Sequence, residues 1–220
     1  IFTSKLNSVF TTGIDQYNYE INSQKLPLNA YKLGFDIQQS YFKAHFNYFY
    51  NNKHSFDFGV NAINYLLHPG NYDPAGPQSI IAKDHLQQEQ GLEGALYFSD
   101  HYTVTSKLKI DAGIRASMFN AMGPNSFNNY AVGAPRIVEN ILNATNYTSG
   151  QVSKSYGGPE YRLGFRYVID ETLSLKGGIN TQRQYIHSLS NTTAMAPTDI
   201  WKLSDPNIKP QLGNQVSLGL

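Results

Sequence analysis

The chain has 220 residues, and its 17 Lys+Arg against 16 Asp+Glu leave a net charge of +1. No basic field exists to release counterions, which argues against nucleic acid as a partner. Mean hydropathy is −0.40; no apolar run approaches ~18 residues, which excludes a helical membrane protein, and the absence of cysteine rules out disulfides and thiolate metal sites.

Residues 6–22 read as a first strand, with weak alternation through Leu6, Phe10 and Ile14, and 23–29 with Pro27 as a loop. Residues 33–50 form a long strand whose later half puts Phe42, Ala44, Phe46, Tyr48 and Tyr50 on one face and Lys43, His45 and Asn47 on the other. Leu33, Phe35 and Ile37 have the opposite parity, which predicts a bulge between Ile37 and Phe42. After a tight turn at 51–53, residues 54–67 return with Phe56, Phe58, Val60 and Ala62 outward. The breaker-rich stretch from His68 to Pro77 begins a long loop, 90–99 is the next strand, and a short turn follows near Asp100 and His101.

The strongest signal is VTSKLKIDAGIRASM at 104–118. Leu108, Ile110, Ala112, Ile114, Ala116 and Met118 alternate with Lys107, Lys109, Asp111, Gly113, Arg115 and Ser117, so one face is apolar and the other charged or small. A bilayer needs only about 9–11 residues per strand, so this strand is long enough to cross one. Residues 120–157 are the longest irregular stretch. Residues 161–169 alternate strictly, Asp170-Glu171 turns, 172–185 pair back, 187–210 loop out, and a last strand opens near Leu212. Glycines 59, 94, 113, 177 and 178 lie within strands and predict bulges or bends.

Longer connections (23–32, 69–89, 120–157, 187–211) alternate with short ones (51–53, 100–103, 170–171). The fold class is therefore all-β: an antiparallel transmembrane β-barrel segment of about eight long strands, with long extracellular loops and short periplasmic turns. The absence of an initiator Met and the closing QVSLGL (215–220) suggest a segment of a longer protein.

Residues 182–220 resemble a late-barrel segment of TonB-dependent receptors: Pro197, Asp199 and Trp201, then Lys209-Pro210-Gln211 and QVSLG at 215–219. NKHSFDFG at 52–59, ALYFSD at 95–100 and AGIR at 112–115 agree, so the resemblance covers about 50–220. It implies a 22-stranded barrel with a plug and an energy-coupling box, of which this chain would be roughly a third. It further implies import of a siderophore, vitamin, glycan or peptide across the bacterial outer membrane. The partners would be outer-membrane lipids, the plug and remaining barrel of the same protein, a TonB-type energy-coupling protein and, in some members, a surface lipoprotein.

No catalytic constellation is present: the six histidines are scattered, with no HExxH spacing, no GxSxG elbow and no phosphate loop. The chain reads as a non-enzyme without cofactor or metal. Lys107, Lys109, Asp111, Arg115, Arg162, Arg166 and Lys176 fall on polar faces as lumen lining, which either meets plug or anionic cargo or forms ordinary cross-strand ion pairs. Tyr72, Phe127, Tyr130, Tyr147 and Trp201, in the long connections, are the candidate cargo contacts. Asp73 and Asp199 are weighed as calcium or sugar ligands, with an Asx turn before Pro74 as the plainer reading of Asp73. Sequons at Asn143, Asn146 and Asn191 matter only in a eukaryotic secretory setting. Ser117→Ala and Lys109→Ala are expected to be nearly silent for folding. The alternatives are a soluble carbohydrate-binding β-module and a complete eight-stranded structural or adhesive barrel.

Overall fold

The computed structural model describes residues 4–189 and 199–220. In chain order its strands are β1 (Leu6–Ser23), β2 (Tyr31–Phe49), β3 (His54–Pro74), β4 (Asp84–His85), β5 (Glu89–Thr103), β6 (Leu108–Met122) and β7 (Asn125–Tyr130). They continue as β8 (Ile141–Tyr147), β9 (Val152–Val168), β10 (Ser174–Gln184), β11 (Ile186–Leu189), β12 (Ile200–Leu203) and β13 (Gln211–Gly219). Eight long strands pair antiparallel in the order β1-β2-β3-β5-β6-β9-β10-β13 and curl into a half-barrel wall. The short β4 adds to β3, while β7–β8 and β11–β12 form separate pairs.

The three short turns lie at one end of the wall and share one device. Asn51 Oδ1 accepts the backbone N–H groups of Lys53 and His54. Thr105 Oγ1 does the same for Lys107 and Leu108, and Asp170 Oδ1 for Thr172 and Leu173. A side-chain oxygen that accepts two and three residues on closes a turn locally. Thr105 thereby moves the start of the central strand: 104–107 form the turn, and β6 runs from Leu108 to Met122 rather than from Val104.

Several boundaries differ from the sequence reading. β3 continues through the breakers to Pro74 because the pairing absorbs them: Gly34 faces Asn71 and Asp36 faces His68, so Phe35 alone opposes Pro69 and Gly70. This bulge is where a strand tolerates proline. No bulge lies between Ile37 and Phe42, since the β1–β2 and β2–β3 registers run unbroken there. The five strand glycines also sit in unbroken registers. A Cβ at Gly59 would strike the Ala44 carbonyl and the Tyr97 ring, so this glycine makes room for a crossing aromatic rather than a bend. Within the stretch 120–157 lie the end of β6, the β7–β8 hairpin and the start of β9.

Near the turns, cross-strand rows on the convex face are apolar: Phe46, Phe58, Phe98, Ile114 and Tyr161 in one, Ala112, Leu163, Ile179 and Val216 in another. Most of these side chains stand exposed, with Ile114 49%, Leu163 47% and Val216 81% accessible, while Phe46 and Phe58 are half-buried. On β6 the band runs from Leu108 to Met118, eleven residues, and gives way to Asn120, which takes the Ser155 hydroxyl. That matches the about 9–11 residues a bilayer-crossing strand needs. The buried cluster lies on the concave face toward the long connections: Ile37, Tyr65, Leu67, Phe119, Ala121, Tyr185 and Leu203. The parity switch in β2 therefore records a change of buried face, with Ile37 turned toward this cluster and Phe42 outward.

Candidate functional site

The concave face carries the charged chemistry, arranged in rows by the sheet register. Arg115 on β6 faces Glu160 on β9, donating from Nη1 at 2.9 and 3.2 Å, and reaches Glu93 on β5 from Nη2 at 2.9 Å. Tyr65 donates to the other Glu93 oxygen at 2.9 Å. The Ser117 hydroxyl donates to Glu160, and the Tyr185 hydroxyl lies 2.9 Å from it. Glu93, Glu160 and Ser117 are buried. An arginine with two hydrogen-bonded carboxylates neutralises most of the buried charge and fixes the spacing of three strands.

Above this network lies the apolar cluster, where the Tyr185 ring stacks on Phe119 at 4.9 Å and Phe119 covers Gly91. The β11–β12 pair closes over it. Lys202 reaches Glu89 at 2.8 Å and Asp205 at 3.6 Å, Glu89 also accepts the Leu203 N–H at 2.8 Å, and Ser204 N–H donates to the Tyr185 carbonyl at 2.7 Å. Burial works against the Lys202 charge, but the Glu89 and Asp205 carboxylates outweigh it and hold the ammonium above its ordinary value. Burial lowers the His187 imidazole, against the pull of Asp205, and its Nε2 meets Ser204 Oγ at 2.9 Å.

Toward the turns, His101 sits between two carboxylates, its Nε2 3.0 Å from Asp57 and its Nδ1 against Asp111. Of the polar residues singled out from sequence, Lys109, Asp111, Arg115, Arg162, Arg166 and Lys176 all fall on this concave face by register. Lys107 does not share it: it belongs to the 104–107 turn, outside the strand. Asp73 forms no Asx turn among the described residues. It lies in β3, where the His85 hydrogen bond and then Lys83 hold its carboxyl below the ordinary value. Asn143 and Asn146 lie on β8, whereas Asn191 and Pro197 fall outside the described residues.

The five aromatics do not converge on one point. Phe127 is buried in the β7–β8 hairpin with Tyr147 edge-on at 6.0 Å, and Tyr130 ends β7. Trp201 packs against the concave cluster. Tyr72 pairs with the Tyr31 ring at 5.1 Å and lines a cavity of about 270 Å³ with Leu33, Phe35, Leu86, Asp199 and Ile200. All of these positions belong to the end of the wall opposite the short turns. Sequence reasoning missed Glu93, Glu160, Tyr185 and the Glu89–Lys202 pair. Glu93 and Glu160 do lie in or beside strands read from sequence, but only the register brings them to Arg115.

The family model described as TonB dependent receptor-like, beta-barrel matches residues 2–220. No curated protein and no solved structure matches the chain significantly. The family is one of transporters rather than enzymes, and its members occupy the outer membrane of Gram-negative bacteria. With nearly its whole length matched, and with a curled antiparallel wall whose apolar band faces outward, the chain belongs to the TonB-dependent receptor-like β-barrel family.

Proposed function

We propose that this chain forms part of the barrel of an outer-membrane active transporter, which binds a nutrient at its long connections and imports it with TonB-coupled energy. The observation that carries the reading is the sorting of the wall: an exposed apolar band about one bilayer strand in length, long connections at one end and short turns at the other. The convex face meets lipid and the short turns face the periplasm. The remaining wall, a plug and a TonB-type coupling protein complete the machine, with a surface lipoprotein as a further partner in some systems.

Cargo, a siderophore, vitamin, glycan or peptide, meets the outer end. Tyr72 and its cavity, Tyr130 and Trp201 offer aromatic contact area beside many Asn and Gly, while Phe127 and Tyr147 brace the hairpin that carries Tyr130. The concave polar residues line the lumen. The test is growth of a strain lacking the full-length gene on ferric siderophores, cobalamin, glycans or peptides as limiting nutrient. Loss of growth on one of them, restored by the intact gene but not by a version lacking residues 125–148 at normal surface level, is the expected result. Equal growth on the whole panel contradicts import.

A further inference from the structure

On the convex face, one row near the turns runs His54–Tyr102–Ile110–Phe165, and the next row away from them runs Phe56–Asp100–Ala112–Leu163. From the turns up to the row of Ala62, Gly94 and Met118, Asp100 is the one carboxylate that falls on this face among the described residues. An ionisable side chain on a lipid-facing surface is expensive and marks a functional position, to be read with its partner. Here the partner is His54, whose Nδ1 lies 2.8 Å from Asp100 Oδ2. The compensation is incomplete, because Asp100 Oδ1 is buried and meets no donor among the described residues.

Aromatic rings surround the pair. Tyr102 stacks on His54 at 4.3 Å, His54 stacks on Phe56 at 6.0 Å, and the exposed Tyr50 ring lies 6.0 Å from Phe56. His54 opens β3 directly after the 51–53 turn, and Asp100 and Tyr102 lie just before β5 ends at Thr103. The group therefore sits at the rim of the wall, where a membrane–water interface favours tyrosine but gives no reason for a carboxylate. A cavity of about 950 Å³ opens at this end, bordered by Tyr50, Lys53, His54 and Tyr102. Lys53 is exposed and forms no ion pair among the described residues.

We propose that Asp100, His54, Tyr50, Tyr102 and Lys53 form a binding site for the headgroup of an ethanolamine phospholipid in the periplasmic leaflet. The proposal rests on the barrel reading above, which turns the convex face to lipid and the short turns to the periplasm. Such a headgroup carries the two charges that this corner lacks. Its ammonium donates to the Asp100 carboxylate and lies against the rings, where cations are attracted to the aromatic faces. Its phosphate meets Lys53. A choline headgroup suits the rings but has no N–H for the carboxylate. A metal ion needs more donors than one carboxylate and one imidazole, and no metal-binding group of side chains is found among the described residues.

The test is native mass spectrometry of the full-length protein, purified from outer membranes in detergent and mixed with phosphatidylethanolamine, phosphatidylcholine or phosphatidylglycerol of the same acyl chains. The wild-type protein should retain phosphatidylethanolamine several-fold better than either of the others. Asp100→Asn should lose the preference over phosphatidylcholine, and Lys53→Ala should weaken retention of both. Asp111→Asn, on the concave face, should behave as wild type, with heat-modifiable migration on gels showing that each variant is folded. Equal retention of the three lipids by the wild-type protein would overturn the proposal, and so would an unchanged preference in folded Asp100→Asn. A carbodiimide cross-link from Asp100 to a lysine of another polypeptide would overturn it as well, since the site would then belong to a partner protein. Absence of the protein from the outer membrane would instead remove the barrel reading, and this proposal with it.

Discussion

The two ends of the wall use the same strands in opposite ways. Near the turns, β6 turns Ile110 and Ile114 outward and Lys109 and Asp111 inward; near the long connections it turns Asn120 outward and buries Phe119 and Ala121 inside. Neighbouring strands switch at the same level: Phe58 and Val60 against Tyr65 and Leu67 on β3, Phe42 against Ile37 on β2. One continuous sheet thus carries a lower half whose apolar side chains stand on the convex face and an upper half whose buried apolar core lies on the concave side. The Arg115 network lies between them, where neither water nor an apolar core compensates charge and the side chains must compensate one another.

The largest effect should come from breaking that junction. Arg115→Leu leaves Glu93 and Glu160 buried without a counter-charge, and truncating one partner of such a set costs about 3–5 kcal/mol. Urea unfolding of the full-length protein in micelles should show it, and Glu160→Gln in the same background should recover part of the loss. No recovery would mean that the two carboxylates are not what Arg115 compensates.

Next come the two halves of the convex face. Ile114→Arg or Leu163→Arg should cost about 2–4 kcal/mol if the lower band lies in the bilayer, whereas Asn120→Arg, beyond the band, should cost about 0–1 kcal/mol. Refolding into vesicles at graded urea measures both, and equal costs would erase the boundary drawn at Asn120.

A smaller loss is expected from Ser117→Ala. The sequence reading made this position silent because it falls on the charged or small face of the alternating strand. In the structure its hydroxyl is buried and holds Glu160 and Tyr185. Losing it should cost about 1–3 kcal/mol in the same urea assay, against almost nothing for the exposed Lys109→Ala.

The smallest effect lies in the turns. The Asp170 carboxylate accepts the N–H groups of Thr172 and Leu173, which hold its pKa below the ordinary value near 3.8. A depressed folded pKa means that its contribution is present above the unfolded value and is lost as pH falls through the folded one. A weak loss of stability below about pH 4 should therefore appear in the wild-type protein and be reduced in Asp170→Asn, which keeps an acceptor oxygen. Identical acid limbs would remove Asp170 from the pH response.

The lower half was legible because its strands alternate apolar with polar or small residues, at every position of 108–118 and from Tyr161 to Tyr167. The upper half was not, for two physical reasons. Its apolar residues sit on the other parity, so Leu33, Phe35 and Ile37 looked like a register break, whereas Ile37 belongs to the buried concave cluster and Phe35 packs against it. Its strands also pass through breakers, as at Pro69-Gly70, which only the pairing with Phe35 accommodates. Cross-strand partners were legible at neither end: Arg115 could be placed on the polar face, but its meeting with Glu93 and Glu160 depends on registers set by turns such as that at Thr105.

The most direct test of this two-way wall is a cysteine scan along β6 in the full-length protein, reconstituted in vesicles of brominated lipid and read by quenching of a thiol-attached fluorophore. The account predicts quenching at 110, 112, 114, 116 and 118, none at 109, 111, 113, 115 and 117, and an end to the alternation at Asn120. Uniform quenching along the strand, or quenching at the odd positions, would contradict it.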